Sequence, residues 1–358
     1  MKRWSPYALG GLAVLGAVAW IALRVPAMDV WLFRTAVNRV VGAPDPRIAG
    51  RNELSVALCG TGTPLPDPTR AGPCTLIGAA DDLYLVDVGI DSARNLLLWR
   101  VPLGKVEGIF ITHLHSDHIG GLGEIRLQTW VAGRKAPLKI YGPPGIERVV
   151  AGFNEAYAID SGYRTAHHGA DFLPPAAADL VAVPVSLDDK ATAIALESSG
   201  LTVTAIGVDH GPVKPAYGYR FDFAGRSVTL SGDTVPSDDL ARGANHTDVL
   251  VHEALSPELA KIFEEATTQS GRARAAKIFH DIPGYHTSPI DAAKIANAAH
   301  ARLLVFTHLL PIVPNAIAAR AFLRGVSDVR PSGVTIGYDG LLLHLPGGTD
   351  RIEQDSLK

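Results

Sequence analysis

Cysteine is nearly missing: Cys59 and Cys74 are the only two in 358 residues. Two cannot form a disulfide framework, and neither sits at zinc-ligand spacing. The simplest reading makes both small buried residues. An excess of charge is missing too. Lys and Arg total 33 against 36 Asp and Glu, a formal net charge of −3. That balance leaves no basic footprint of the kind nucleic-acid-binding proteins carry, so it speaks against nucleic acid as a partner. Short-period repeats and low-complexity tracts are also absent, which excludes a solenoid and a disordered chain. What remains is apolar and rich in turns. Hydrophobic residues make up 47%, enough for a sizeable core. The 36 Gly and 25 Pro suggest many tight turns on a strand-rich scaffold.

The N-terminus reads as a segment apart. Lys2 and Arg3 precede Tyr7 to Leu23, 17 uncharged residues closed by Arg24. A signal peptide would be cut near Ala17-Val18-Ala19. An uncleaved anchor would use the whole run, at the short limit for spanning, and is the preferred reading. Either places the rest of the chain outside the cytoplasm, periplasmic or anchored in the inner membrane. In such an oxidising compartment a single Cys59–Cys74 bridge stays open. The expected organisation is a segment at 1–28, a connector at 29–52, a main domain at 53–346 and a polar tail at 347–358.

From Glu53 short apolar runs alternate with turn signals. Leu54-Cys59, Cys74-Ala79, Leu83-Val88 and Val106-Thr112 read as strands, and Asp91-Arg100 as a helix. Leu201-Val208, Tyr217-Phe223, Ser227-Ser231 and Val249-Val251 repeat the strand pattern. Helices follow at Pro257-Thr268, Pro289-Ala299 and Asn315-Arg324. Strands then helices, twice, suggest two packed sheets with helices outside.

The informative segment follows the strand Ile109-Phe110-Ile111. His113-Leu114-His115-Ser116-Asp117-His118 places four metal-capable side chains within six residues, in a chain with 13 histidines. Imidazole nitrogens and a carboxylate suit zinc, although manganese and iron accept the same ligands. Gly120 and Gly121 then turn the backbone into a helix. Further candidates follow apolar strands: His210 after Val203-Val208, Asp233 after Val228-Gly232, and His308 after Leu303-Thr307. Ligands at strand ends converge on one edge of a sheet.

These motifs resemble the ordered motifs of the metallo-β-lactamase superfamily over roughly Glu53 to Leu345. Asp233 stands where class B β-lactamases carry cysteine, and His115 where flavodiiron relatives carry glutamate. Cys59-Gly-Thr-Gly-Thr-Pro64, Tyr141-Gly-Pro-Pro144, His210 to Arg220, Ser231-Gly-Asp-Thr234 and His252-Glu-Ala-Leu255 are similar to ribonuclease Z and its arylsulfatase-like cousins. The resemblance implies an α/β fold, the αβ/βα four-layer sandwich, here with an N-terminal hydrophobic segment. It implies two zinc ions. His113, His115 and His210 would hold one, Asp117, His118 and His308 the other, and Asp233 would bridge them.

Residues 211–232 are 22 in all, too few for the long arm with which ribonuclease Z grips tRNA. The expected activity is therefore hydrolysis of a small anionic ester, arylsulfate or phosphodiester, by a hydroxide between the metals. Asp117 helps to orient that hydroxide. His252 is the candidate proton donor to the leaving group, or else only orients a ligand; His286 is weighed the same way. Arg164, His167 and His168 are candidate contacts to the anionic substrate, or else a solvated loop. A ribonuclease Z-type tRNA 3′-processing endonuclease, a lactone or thioester hydrolase and a non-catalytic metal-binding protein are the alternatives. Oligomeric state, including a homodimer, is left open.

Overall fold

The computed structural model describes residues 16, 20, 24, 26–48, 51–188 and 190–358. Two compact units divide the chain, Met1–Pro44 and Asp45–Lys358. The first carries helix α1 (Pro26–Val40), with Val30, Trp31 and Phe33 exposed. The run Tyr7 to Leu23, apart from Gly16 and Trp20, lies outside the described residues.

The second unit is built on two sheets. Strands β1 (Arg51–Gly60), β2 (Cys74–Ala80), β3 (Asp82–Val86), β4 (Val106–Phe110), β5 (Leu138–Gly142) and β6 (Leu180–Pro184) lie side by side in chain order. The next seven form the other sheet: β7 (Thr192–Ser198), β8 (Leu201–His210), β9 (Val213–Phe223), β10 (Arg226–Leu230), β11 (Val249–Leu255), β12 (Leu303–Leu310) and β13 (Val334–Ile336). Strands β14 (Leu341–Pro346) and β15 (Glu353–Ser356) return to the first sheet beside β1.

Side chains alternate across each strand, and the alternation sorts them into layers. In β1, Leu54, Val56 and Leu58 face the second sheet, while Ala57 and Cys59 face the first sheet's helices. In β11, Val249 and Val251 point between the sheets, and Leu250 and Ala254 point to the outer helices. Four layers result, with apolar material in all three gaps. An aromatic knot joins the sheets: Phe110 stacks on Tyr141 at 4.6 Å, and Tyr219 and Phe221 meet it edge-on at 5.3 Å. The Tyr219 hydroxyl donates to the Ile111 carbonyl at 3.0 Å, so the ring packs while its polar tip is satisfied.

The direction of the strands builds the site. β3 to β6 run parallel, and so do β10 to β13. β8 and β10 both run antiparallel to β9, so they share one direction. The residues that follow β3, β4, β8, β10, β11 and β12 therefore gather at one edge, where ligand sites of open α/β sheets form. Cys59 and Cys74 are bonded to each other across the end of β1 and the start of β2. This corrects the simplest reading of them as two separate buried thiols: register places their Cα atoms 5.0 Å apart, within bridging distance.

Candidate metal centre

His113 leaves β4 and is fully buried; His118 ends the short turn of helix Ser116–Ile119. His210 ends β8, Asp233 follows β10, and His308 lies within β12 at a bulge. Their ligating atoms gather in overlapping groups, each within 4.8 Å: His113, His115 and His210; Asp117, His118 and His308; and His113, His118 and Asp233. One carboxylate oxygen, Asp233 Oδ2, lies 3.4 Å from His308 Nε2, 3.5 Å from His118 Nε2, 3.9 Å from His210 Nε2 and 4.0 Å from His113 Nε2. It stands between the two histidine sets. A cavity of about 30 Å³, lined by Asp87, Thr112, His118, Asp233, Glu253 and His308, sits within the cluster.

The surroundings fix the rings as ligands need them. His118 Nδ1 donates to Asp87 Oδ2 at 2.8 Å, and Asp87 also accepts from the Thr112 backbone and hydroxyl. His210 Nδ1 donates to the Tyr285 carbonyl at 2.9 Å. Each bond holds one tautomer and turns Nε2 inward, the arrangement typical of metal-binding histidines. His118 Nε2 and His210 Nε2 are buried without a hydrogen-bond partner. Burial drives the pKa of His113, His115 and His210 down, so their lone pairs are free at neutral pH. Burial works against charge on His118 as well, but Asp87 and Asp233 outweigh it and raise its pKa. Burial likewise opposes charge on Asp233, which His308 and His118 hold ionised. A buried carboxylate set that calls for positive charge, beside buried imidazoles with orphaned nitrogens, fits a divalent cation.

Asp87 and His308 adopt φ of 56° and 45°, left-handed values that aspartate and histidine accept more readily than most residues. Gly232 has φ of 59°, and a Cβ there would lie 2.4 Å from the Tyr217 carbonyl oxygen. Only glycine lets the chain turn here and bring Asp233 between the histidines.

A second cluster borders the first. Glu253, from β11, accepts from His286 Nδ1 at 3.1 Å and from the Thr287 backbone at 3.0 Å. Burial opposes charge on His286, but the Glu253 carboxylate prevails and raises its pKa. His252 is placed otherwise. Its Nδ1 donates to the Glu253 backbone carbonyl at 2.7 Å, and its ring joins none of the ligating groups. Neighbouring strand residues face opposite ways, so Glu253 turns to the cluster of candidate ligands and His252 does not. Of the other substrate candidates, Arg164, His167 and His168 end the helix Ile146–His168, and Arg164 pairs with Asp160 on the same helix. None of the three lines the cavities described at the metal cluster. Asp87 and Glu253 were missed as functional residues. Asp87 follows the end of β3, the signal that singled out Asp233, whereas Glu253 lies inside β11, where that signal does not reach.

A β-sandwich layered with helices and carrying this histidine and aspartate edge defines a metal-dependent hydrolase fold. Residues 67–308 match the family model of the metallo-β-lactamase superfamily. A ribonuclease Z of Mycobacterium bovis (strain BCG / Pasteur 1173P2) is 38% identical over 263 residues, 73% of this chain and 87% of that protein. Human tRNase Z, short form, shares the fold with a TM-score of 0.57 at 22% identity, over 82% of this chain and 99% of that one. A metallo-β-lactamase-fold protein of Bacillus subtilis also has a TM-score of 0.57, at 18% identity, over the same shares. The chain belongs to the metallo-β-lactamase superfamily and, within it, stands with the ribonuclease Z proteins.

Three expectations are corrected by these relatives. The arylsulfatase-like reading falls, because the curated relatives are named ribonuclease Z. The case against nucleic acid falls with it. Net charge sums the whole surface, whereas a metal ion held by this cluster would add positive charge that no residue count includes. Export, inner-membrane anchoring and attachment to a membrane through the N-terminal segment are set aside as well. Among the described residues no helix is long and apolar enough to cross a membrane, and the relatives are named for an RNA substrate.

Proposed function

We propose that this chain is an endoribonuclease of the ribonuclease Z type, hydrolysing a phosphodiester bond in RNA at a two-zinc centre. The observation that carries the reading is the position of Asp233 Oδ2 between two histidine sets, with His286 and Glu253 beside it. His113, His115 and His210 would hold one metal, and Asp117, His118 and His308 the other. Two such ions, when bound, would supply a water ionised at neutral pH and positive charge beside the attacked phosphoryl group.

The chain's own residues do the rest. Asp233 fixes the spacing of the two sets, and Asp117, 3.4 Å from His308 Nε2, orients the nucleophile's side of the site. Asp87 locks the His118 ring. His286, held protonated by Glu253, delivers a proton to the departing alcohol oxygen, a task suited to a histidine with a raised pKa. This role passes to His286 from His252, whose ring is turned away.

A trailer-bearing tRNA precursor is the first substrate to test. Cleavage near the 3′ end by zinc-loaded protein, lost with a chelator and restored by zinc, is the expected result. Intact RNA with metal-loaded protein, or cleavage indifferent to chelator, overturns the reading.

A further inference from the structure

The metal cluster opens on two unlike cavities. The smaller, about 150 Å³, has walls of Leu65, Ile278, Ile282, Tyr285 and Leu310 and includes His286. The larger, about 560 Å³, is walled by Pro66, Pro68 and Ile90, with Arg70 and Asp91 as its polar edges. Pro64, Leu65 and Asp117 line both. The Pro64-Leu65 turn is thus a partition, and Asp117 marks the point where the cavities meet.

That partition is anchored. Asp339 is buried and accepts from the Thr61 backbone at 3.0 Å, the Thr61 hydroxyl at 2.7 Å and the Ala71 backbone at 2.7 Å. It also accepts from Asn95 Nδ2 at 2.9 Å. The Cys59–Cys74 bridge closes the base of the same loop.

A phosphodiester has two organic arms on one phosphorus. We infer that the two cavities receive these two arms separately, the smaller taking the nucleoside whose oxygen leaves and the larger the unit that keeps the phosphate. Water's oxygen joins phosphorus, the bond to the arm in the smaller cavity breaks, and that arm's oxygen takes the proton. The nucleic-acid identity of the arms rests on the ribonuclease reading above; the division of the site does not. His286 lines the smaller cavity and not the larger. A cavity of about 150 Å³ holds one benzene-sized ring. Its apolar walls and the Tyr285 ring offer a stacking surface, which suits the flat face of a small base over a large one. The larger cavity falls within the roughly 300–1,000 Å³ of ordinary small-molecule sites, apolar with a few polar groups.

Ile278 and Ile90 are 53% and 65% exposed, so aspartate at either leaves the core intact. The test measures kcat/KM on RNA dinucleotides varied one arm at a time, for wild type, Ile278→Asp and Ile90→Asp. Ile278→Asp should lower preference among leaving nucleosides about tenfold, the scale of one apolar pocket contact, and leave preference in the other arm unchanged. Ile90→Asp should do the reverse. Variants that shift the same arm, or both arms equally, overturn the assignment. A wild-type enzyme that cuts no RNA overturns the ribonuclease reading instead. The same variants are then read on mixed aryl–alkyl phosphodiesters, where the crossed pattern supports the division and its absence overturns it.

Discussion

A buried imidazole offers a lone pair only while neutral, and burial keeps His113 and His210 in that state. His286 is buried too, but the Glu253 carboxylate raises its pKa, as the proposed proton donor requires. The two behaviours differ by one carboxylate. His286→Ala is therefore expected to lower kcat about 10²–10⁴-fold with metal content unchanged. Substrates with a nitrophenolate leaving group, which need no proton, should lose far less. Equal losses on both substrate types would contradict the role.

Asp248 shows the opposite use of a buried charge, far from chemistry. Burial pushes its pKa up, but Arg226, the Ser227 backbone and Arg302 outweigh that and hold it below the usual range. A depressed carboxylate contributes its stability above the unfolded value of about 3.9 and loses it as pH falls through the lower native value. Asp248→Ala should cost about 2–3 kcal/mol at neutral pH, the low side for a broken buried pair because water partly screens Arg302. Urea unfolding checks this: the gap from wild type should narrow below about pH 4, and a constant gap contradicts it.

Elements place these residues, and strand ends are what the sequence makes easiest to see. An apolar run followed by a histidine or aspartate picked out His113, His210, Asp233 and His308, and the fold brings all four to one edge. The partnership of Glu253 and His286 was not visible, because 33 positions separate them and only packing joins them. The helix Ile146–His168 was also hidden. It buries just Ile146 and Val150 fully, so its sequence carries little periodic apolar signal. Strand β7 buries no residue fully, so its sequence lacks the apolar run that marks the strands of the core. The disulfide could be left open but not assigned, since spacing alone fixes no pairing. Replacing both cysteines with alanine should lower stability by about 3 kcal/mol, the loop-closure scale for a loop of this length. Thermal unfolding with and without reductant measures it, and an unchanged midpoint contradicts the estimate. Gly232→Ala should reduce metal content while leaving the fold recognisable by circular dichroism; full metal content would show that Asp233 does not depend on that turn.

At the scale of the whole molecule, strand and ligand motifs lead to the right fold, whereas whole-chain charge and the length of one interval mislead about the substrate. The layered sandwich followed from runs of five to ten residues. Net charge and a short interval between His210 and Asp233 argued against RNA, and the relatives argue for it. Whole-chain charge is a poor guide where the proposed metal ions would carry the positive charge that matters. The most direct test follows RNA cleavage while metal-free protein is titrated with zinc. The expected result is little activity through the first equivalent, a rise with the second and a plateau at two per chain. A plateau at one equivalent, or cleavage by the metal-free chain, would contradict a centre built on two ions joined through Asp233.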